Sequence, residues 1–328
     1  RGSLYGEKHP ASSQFQRNQA PERFRPVALT SHIMKTMEQK EKVGVEDAIT
    51  YMLHRALSHL DSSRGAVRIT ILDFSSAFNT ILPLLLRDKL TEMGVSSHLV
   101  AWIMGYLTGR PQYVQLGDCR SDTVVSSTGA PQGTVLYLVL FTLYTSVFQY
   151  NSESCHVQKF MDNTAIVRCI RRGQEEEYKK LIQDFIAWCY FNHLHLNTTK
   201  TREMVVDFRR PRPQPEPVTI SGDCVEFVKT YKYLGVQLDE RMDWTANMNA
   251  LGRRGQSWLY FLRRLESFDI CKKLLQMFYL TVVASALFYA AVFWGGSIEK
   301  KDASGLDNLV RKAGSIVGSE LDSLYSIL

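Results

Sequence analysis

The sequence predicts an α+β fold, and three observations predict it. Val67, Ile69 and Ile71 alternate with Arg68 and Thr70, a period of two that marks a half-buried strand. His156-Val-Gln-Lys-Phe160 and Thr164-Ala-Ile-Val167 flank a tight Met-Asp-Asn turn and predict a β-hairpin with Asp162 at its tip. Helix and strand then alternate irregularly to about Phe208, and the chain from Trp244 onward has helical periodicity.

The remaining elements follow in order. Residues 1–24 are polar, with little periodicity, and predict a flexible lead-in. Val45–Leu60 predicts a helix, because Ala48, Met52, Ala56 and Leu60 recur at four-residue steps with Arg64-Gly65 beyond the end. After the first strand, Ser75 or Ser76 can cap a helix that runs through Leu90. The uncharged run Thr134–Tyr150 predicts a buried helix, and Tyr178–Phe191 an amphipathic one followed by a strand-like Leu194-His-Leu-Asn. Arg209–Pro217 holds four prolines in nine residues and must be an exposed connection. Val218–Leu238 predicts short strands. Downstream, Leu251, Trp258, Leu262 and Leu265 form one apolar stripe, with Arg253 and Arg264 about 20° apart on another face at ~100° per residue.

At 328 residues the chain can hold two or three subdomains around a substantial core, and 45% hydrophobic with 22% charged residues is ordinary for a globular protein. The net charge is only +6, but basic residues cluster at Arg171-Arg172, Arg209-Arg210, Arg253-Arg254, Arg263-Arg264 and Lys272-Lys273. Such pairs suit an anionic polymer, and any single pair equally suits a solvated face. The six cysteines have no C-x-x-C spacing and nothing resembles a secretory signal. The expectation is an intracellular protein, nuclear or cytoplasmic and not secreted, with free thiols and no zinc site. A chain that begins with Arg1 instead of Met is expected to be a piece of a longer translation product.

Asp73 falls where the first strand stops, and Asp162 where the hairpin turns. Two carboxylates brought together at a sheet edge repel unless a divalent cation sits between them. That is what a two-metal phosphoryl-transfer site needs, with metals roughly 3.5–4 Å apart.

Asp73-Phe-Ser-Ser-Ala-Phe78-Asn, Gly129-Ala-Pro-Gln-Gly133, Phe160-Met-Asp-Asn163, Leu196-Asn-Thr-Thr-Lys200-Thr and Tyr233-Leu-Gly-Val236 stand in the order of the palm motifs of reverse transcriptases. The chain resembles that family from about Arg25 to about Gly318, and its wording is nearest to the non-LTR (LINE-type) retrotransposon enzymes. The resemblance implies an α+β right-hand polymerase fold. Truncated fingers would cover residues 25–66, an antiparallel-sheet palm with a primer-grip-like hairpin 67–240, and a helical thumb and tail 241–328.

It also implies roles for single residues. Asp73 and Asp162 would bind two Mg²⁺ or Mn²⁺ ions, helped by the backbone carbonyl of Phe74. Phe78 would close the sugar pocket against a ribose 2′-OH, although taken alone it is a core aromatic one turn after a cap. Gly129, Gln132 and Gly133 would receive the incoming deoxynucleoside triphosphate, as would Arg25 in Arg25-Pro-Val-Ala-Leu-Thr-Ser31, which resembles the first fingers motif. Lys200 resembles the lysine near the leaving pyrophosphate, with a plain surface lysine as the alternative. Arg110, Tyr233, Gly235, Arg253 and Arg264 would contact an RNA template and a DNA primer. The uncharged run Leu274–Ile298 is long enough to span a bilayer, but Gln276, Thr281, Ser285 and Gly295-Gly296 interrupt it and the resemblance makes it buried thumb, so no membrane is expected.

Three departures from the family pattern bear on activity. The hairpin tip carries Asp162-Asn163 where the family pairs two aspartates, so one negative charge is missing. Only six residues separate Met37 from Gly44, where the family has a helix and a basic fingers arm. Tyr137-Leu138 stands where Ser-Pro is usual. The expectation is RNA-directed DNA polymerase chemistry at low or no activity, with a non-catalytic nucleic-acid-binding remnant as the alternative. Two other patterns carry less. His59-Leu-Asp61 has the spacing of an iron-oxygenase pair but closes a helix, while the tail from about Asp243 resembles a module at the start of an AlkB-like RNA-modifying protein. His193-Leu-His195 lacks a third ligand for a metal.

Overall fold

The computed structural model describes residues 45–62, 65–131, 134–150, 152–170, 175–209 and 215–327. The expected lead-in and the shortened arm between Met37 and Gly44 lie outside the described residues. The first described helix, α1 (Val45–Ser62), buries Ala48, Met52 and Ala56, the positions its four-residue periodicity selects. The strand after it, β1 (Ala66–Leu72), is the centre of a five-stranded sheet ordered β11-β8-β1-β7-β6. Here β6 is Cys155–Phe160, β7 Asn163–Ile170, β8 Arg202–Asp207 and β11 Glu226–Phe227. Pairing is antiparallel from β8 through β6, as expected, while β11 adds a short parallel edge on β8.

Helices close both faces of this sheet. On one side Val67, Ile69 and Ile71 join a cluster with Ile49 and Met52 of α1, which continues without a break into the C-terminal helices. On the other, Leu72 and Ile166 pack against α4 (Val135–Thr145) and α5 (Glu176–Phe191), with α2 (Pro83–Glu92) and α3 (Ser97–Leu107) completing that cluster. Between α3 and α4 the chain forms a small ribbon from β2 (Arg110–Gln112), β3 (Gln115–Leu116), β4 (Cys119–Arg120) and β5 (Val124–Ser126). Past β8 come β9 (Thr219–Ile220) and β10 (Asp223–Cys224), then the hairpin of β12 (Thr230–Tyr233) and β13 (Val236–Asp239). The long helix α6 (Thr245–Glu266) follows Asp243, whose carboxylate accepts from the Thr245 amide at 3.0 Å, and packs on α8 (Lys300–Val317). Between them lie α7 (Lys272–Phe278) and a π-helical turn, Tyr279–Ala284. No helix among the described residues is long and apolar enough to cross a membrane.

Three expectations need correction. β1 is buried on both faces instead of one: Arg68 and Thr70 lie under α5. Their polarity is absorbed internally, because Arg68 donates from Nε and Nη2 to both oxygens of Glu203 at 2.6 and 2.9 Å, and Tyr178 donates to Glu203 at 2.6 Å and meets Thr70 Oγ1. Period two identified two faces, but the second face meets a polar core and not water. Neither Ser75 nor Ser76 caps a helix through Leu90. Ser76 is left-handed at φ 52° with no capping bond, a 3₁₀ turn Ala77–Asn79 follows, and α2 begins only at Pro83. Proline at a first helical position fixes the start there. His193 stands in the turn after α5 at φ 54°, and the strand-like segment that follows it reduces to a bridge between Leu196 and Phe74.

The C-terminal end of α4 is closed by two lysines, Lys89 buried and Lys159 half-buried. Lys89 Nζ donates to the Tyr144 carbonyl at 2.6 Å and to Asn192, and Lys159 Nζ donates to the carbonyls of Thr145 and Phe148. Helix-end carbonyls lacking an intrahelical partner accept these donors. Burial pulls both ammonium groups down to about 8, with Lys89 adding repulsion on Lys159.

A folded protein with depressed lysines binds fewer protons than the unfolded chain between pH 8 and 10.5, so stability rises with pH across that interval. Buried Tyr144 and Tyr233, pushed upward by burial, oppose the trend above pH 10. Tm measured calorimetrically is therefore expected to climb by roughly 2–6 °C from pH 8 to pH 10, and Lys89→Met to flatten the climb. A flat wild-type profile would remove the electrostatic account of this corner.

Candidate active site

The register of the central strands brings the two aspartates to one edge. β1 and β7 are antiparallel with Leu72 opposite Thr164, so one further step sets Asp73 across from Asn163, next to the turn that carries Asp162. That turn has two residues, Met161 and Asp162, because Phe160 pairs with Asn163, which is the first residue of β7. Met161 takes φ 54°, a conformation glycine adopts more readily.

Asp73 is held from its other side. Its carbonyl accepts from the Asn197 amide and the His195 carbonyl from the Ser75 amide, both at 2.8 Å, which makes the bridge between Phe74 and Leu196. In a bridge of this type the flanking residues make the bonds, so the carbonyl of Phe74 is directed away from Leu196, toward the β7 side where the hairpin tip lies. The Phe74 ring is anchored edge-on against Phe141 of α4. Lys200 Nζ stands 3.5 Å from Asp73 Oδ2 and is 68% exposed. Asp73 Oδ2 is itself buried with no hydrogen-bond donor among the described residues.

Asn163 does more than omit a charge. Its Nδ2 donates to Asp162 Oδ1 at 3.0 Å, so one of the two acceptors at the hairpin tip is engaged by a neighbour. Two tyrosines that the motifs did not single out also adjoin the carboxylates. Tyr137 of α4 is buried and its phenol is pushed up first by burial and then by the charge of Asp162, while Tyr231 of β12 is raised by burial and by Asp73. The departure at Tyr137 marked an unusual residue; only the fold puts it beside Asp162. Among the described residues no three histidine, cysteine, aspartate or glutamate side chains gather at a metal-binding spacing.

The other expected site residues are distributed as follows. Gly129, at φ 66°, donates its amide to Ile81 at 2.8 Å, and Arg110 donates to the carbonyls of Leu107, Thr128 and Gly129 at 3.1, 2.8 and 2.9 Å. Arg110 Nη2 thus braces the glycine loop through two carbonyls, while its Nε holds the end of α3. Arg25, Gln132 and Gly133 lie outside the described residues, as does the side chain of Phe78, whose backbone is in the 3₁₀ turn. Tyr233 is buried in the core, directed away from solvent, whereas Gly235 sits in the β12–β13 turn at φ 92°. Arg253 and Arg264 are exposed on α6. His59 closes α1, with a long contact of 3.4 Å from its Nε2 to the Ile170 carbonyl, remote from the aspartates in the sheet.

The family model described as Reverse transcriptase (RNA-dependent DNA polymerase) matches residues 10–238, and the chain belongs to that family. Its α+β architecture is accordingly the right-hand polymerase fold, and the chain is a reverse transcriptase domain of the retrotransposon type. Relatives include the probable RNA-directed DNA polymerase from transposon BS of Drosophila melanogaster, 22% identical over 84% of this chain and 34% of that protein. Another is the RNA-directed DNA polymerase from mobile element jockey of Drosophila funebris, 26% identical over 77% of this chain and 28% of that one. The chain thus spans about a third of the length of these relatives. Among solved structures, apo telomerase from Candida tropicalis matches with a TM-score of 0.46 at 8% identity, covering 87% of this chain and 53% of that one. A second family model, that of the alkylated DNA repair protein alkB homolog 8 N-terminal region, matches residues 244–285, the tail segment that resembled such a module.

The Gly235 turn gives a direct test of packing beside the site. A Cβ added there would lie 2.8 Å from the ring of Tyr289, whose hydroxyl donates to the Leu234 carbonyl at 2.8 Å. Gly235→Ala should cost about 1–3 kcal/mol in denaturant unfolding, from the clash and the positive φ together. Adding Tyr289→Ala should recover only the part due to the clash, and a neutral Gly235→Ala would show that the turn is free to move.

Proposed function

We propose that this chain carries out RNA-templated DNA synthesis weakly, with an RNA template, a DNA primer and deoxynucleoside triphosphates as its partners. The observation that carries this reading is the pair of aspartates at the ends of adjacent antiparallel strands, with Asp73 Oδ2 buried, without a hydrogen bond among the described residues and met only by the Lys200 ammonium at 3.5 Å. An acceptor left in that condition suits a cation. Asp73, Asp162 and the Phe74 carbonyl would hold two Mg²⁺ or Mn²⁺ ions, which when bound activate a primer 3′-OH and offset charge on the transferring phosphoryl group. The chain's own groups supply the remainder. Lys200 can neutralise or protonate departing pyrophosphate beside Asp73, and the Arg110-braced loop at Gly129 positions the nucleotide. Arg253 and Arg264 hold the duplex by its phosphates. The six free cysteines suit a reducing, intracellular setting.

A non-catalytic role in nucleic-acid binding is favoured by one observation, the bond from Asn163 to Asp162, which subtracts a charge and occupies an acceptor at once. Asn163→Asp is expected to tighten Mn²⁺ binding, followed by electron paramagnetic resonance, while leaving primer extension poor. Loss of one preorganised electrostatic group costs on the order of a hundredfold, and the short fingers weaken triphosphate binding independently. Robust extension by the unaltered chain, abolished by Asp73→Ala, would show a fully working enzyme. No extension by either chain at saturating Mn²⁺ would leave the binding role.

Duplex binding is expected to be weak and salt-dependent. If Arg253, Arg264 and their neighbours neutralise ~3–4 phosphates, the log–log salt slope is about −3, and replacing both with Gln flattens it. Binding that ignores salt would contradict the assignment.

A further inference from the structure

The exposed side of α6 alternates arginines with aromatic rings. At about 100° per residue, Arg253, Ser257, Tyr260, Phe261 and Arg264 fall within roughly 100° of arc, and Phe268 follows just past the helix end. Tyr260, Phe261 and Phe268 are 61%, 53% and 65% exposed. Arg254 and Arg263 flank the stripe and are exposed as well. The opposite side of the helix, through Met248, Leu251, Leu259 and Leu262, is in the core, so the rings are not needed for packing.

The charge on this face is of one sign. The single carboxylate of α6, Glu266, projects about 190° from the centre of the stripe, and no ion pair among the described residues involves Arg253, Arg254, Arg263 or Arg264. The rings are also set for planar contacts. Tyr260 and Phe261 meet at 70° with centroids 5.7 Å apart, which leaves faces open, and the Arg264 guanidinium lies over Phe268 at 5.3 Å.

We propose that the α6 stripe of Arg253, Tyr260, Phe261, Arg264 and Phe268 binds unpaired nucleotides of a single-stranded polynucleotide, stacking bases on its rings while its arginines hold phosphates. This rests on the nucleic-acid reading above and adds an unpaired strand to the duplex that the same arginines hold. A duplex turns its base faces onto one another and offers sugars and phosphates outward, which engages arginines but gives exposed rings nothing flat to cover. A single strand offers both, and base–aromatic stacking with arginine contacts is how strands are held without regard to sequence. From Arg253 to Phe268 the stripe extends ~22 Å at ~1.5 Å per residue, room for a site of about four nucleotides.

The test uses the full chain and fluorescence anisotropy with three labelled probes: an oligothymidylate of about twelve nucleotides, an abasic strand of equal length, and an RNA–DNA duplex of equal length. The unaltered chain should bind oligothymidylate tighter than the abasic strand. The double substitution Phe261→Leu with Phe268→Leu, which keeps apolar bulk and removes the rings, should weaken oligothymidylate about tenfold and leave the other two probes unchanged. Its Tm should match that of the unaltered chain, since both rings are exposed. Equal affinity for abasic and thymidylate strands, or an equal loss on all three probes, would overturn the proposal. Tighter binding to phosphatidylserine–phosphatidylcholine vesicles than to oligothymidylate would give the stripe to a membrane surface and overturn it too. Failure of the ring substitutions with duplex binding intact would defeat this inference alone, whereas failure to bind any of the three probes at low salt would defeat the nucleic-acid reading itself.

Discussion

Everything at the site depends on the register of β1 between β7 and β8. Side chains alternate across a strand, so a slip of one residue would exchange the two faces. It would drive Arg68 and Thr70 into the aliphatic cluster with α1 and move Asp73 away from its place opposite Asn163. The Arg68–Glu203 pair opposes such a slip. Both charges are buried and bonded to each other across the β1–β8 pairing, and neither has a comparable partner one residue along. Breaking a buried pair by removing one partner costs about 3–5 kcal/mol, so the pair acts as a lock on alignment whatever its net contribution to stability.

Around that fixed edge the chain uses acceptors and donors in unequal measure. At the sheet's far corner Glu177 accepts from Tyr150, Ser152, Ser154 and Arg168, and those hydroxyls bring its carboxyl down to about 2, while Arg168 Nε and Nη2 are buried with no acceptor among the described residues. At the site edge Asp73 Oδ2 has no hydrogen bond among the described residues and only the Lys200 ammonium at 3.5 Å, and Met161 takes the left-handed conformation of a two-residue hairpin turn.

Much of this could be read from the residues. The two strands with their terminal aspartates, α1, the amphipathic α5 and the apolar stripe of α6 all follow from period and spacing, and the ordered motifs led to the family. What could not be read was chiefly three-dimensional. Period two cannot tell a solvent face from a polar interior, so Arg68 passed for exposed. A serine before a helix is a capping signal only if the backbone arrives correctly, and Ser76 does not. The pressure of Asp162 on Tyr137, and of Asp73 on Tyr231, joins residues 25 and more apart in sequence and has no local signature. Tyr233 sits in a motif that touches nucleic acid in the family, yet its side chain belongs to the core.

The apolar cluster that runs from Ile49 and Val67 through Tyr233, Val236 and Leu238 to Leu251, Leu306 and Trp294 makes the sheet and the C-terminal helices halves of one interior. A chain ending after Asp239 would present the inner surface of that interior to water, so the five-stranded sheet is not expected to stand free of the helices as a module. Mechanically, the two halves share their loss: a cavity opened near Leu262 should be felt at β13 as readily as within α6. Any nucleic acid held by the helices is therefore gripped by a wall that is continuous with the floor beneath Asp73, and displacing one means deforming the other.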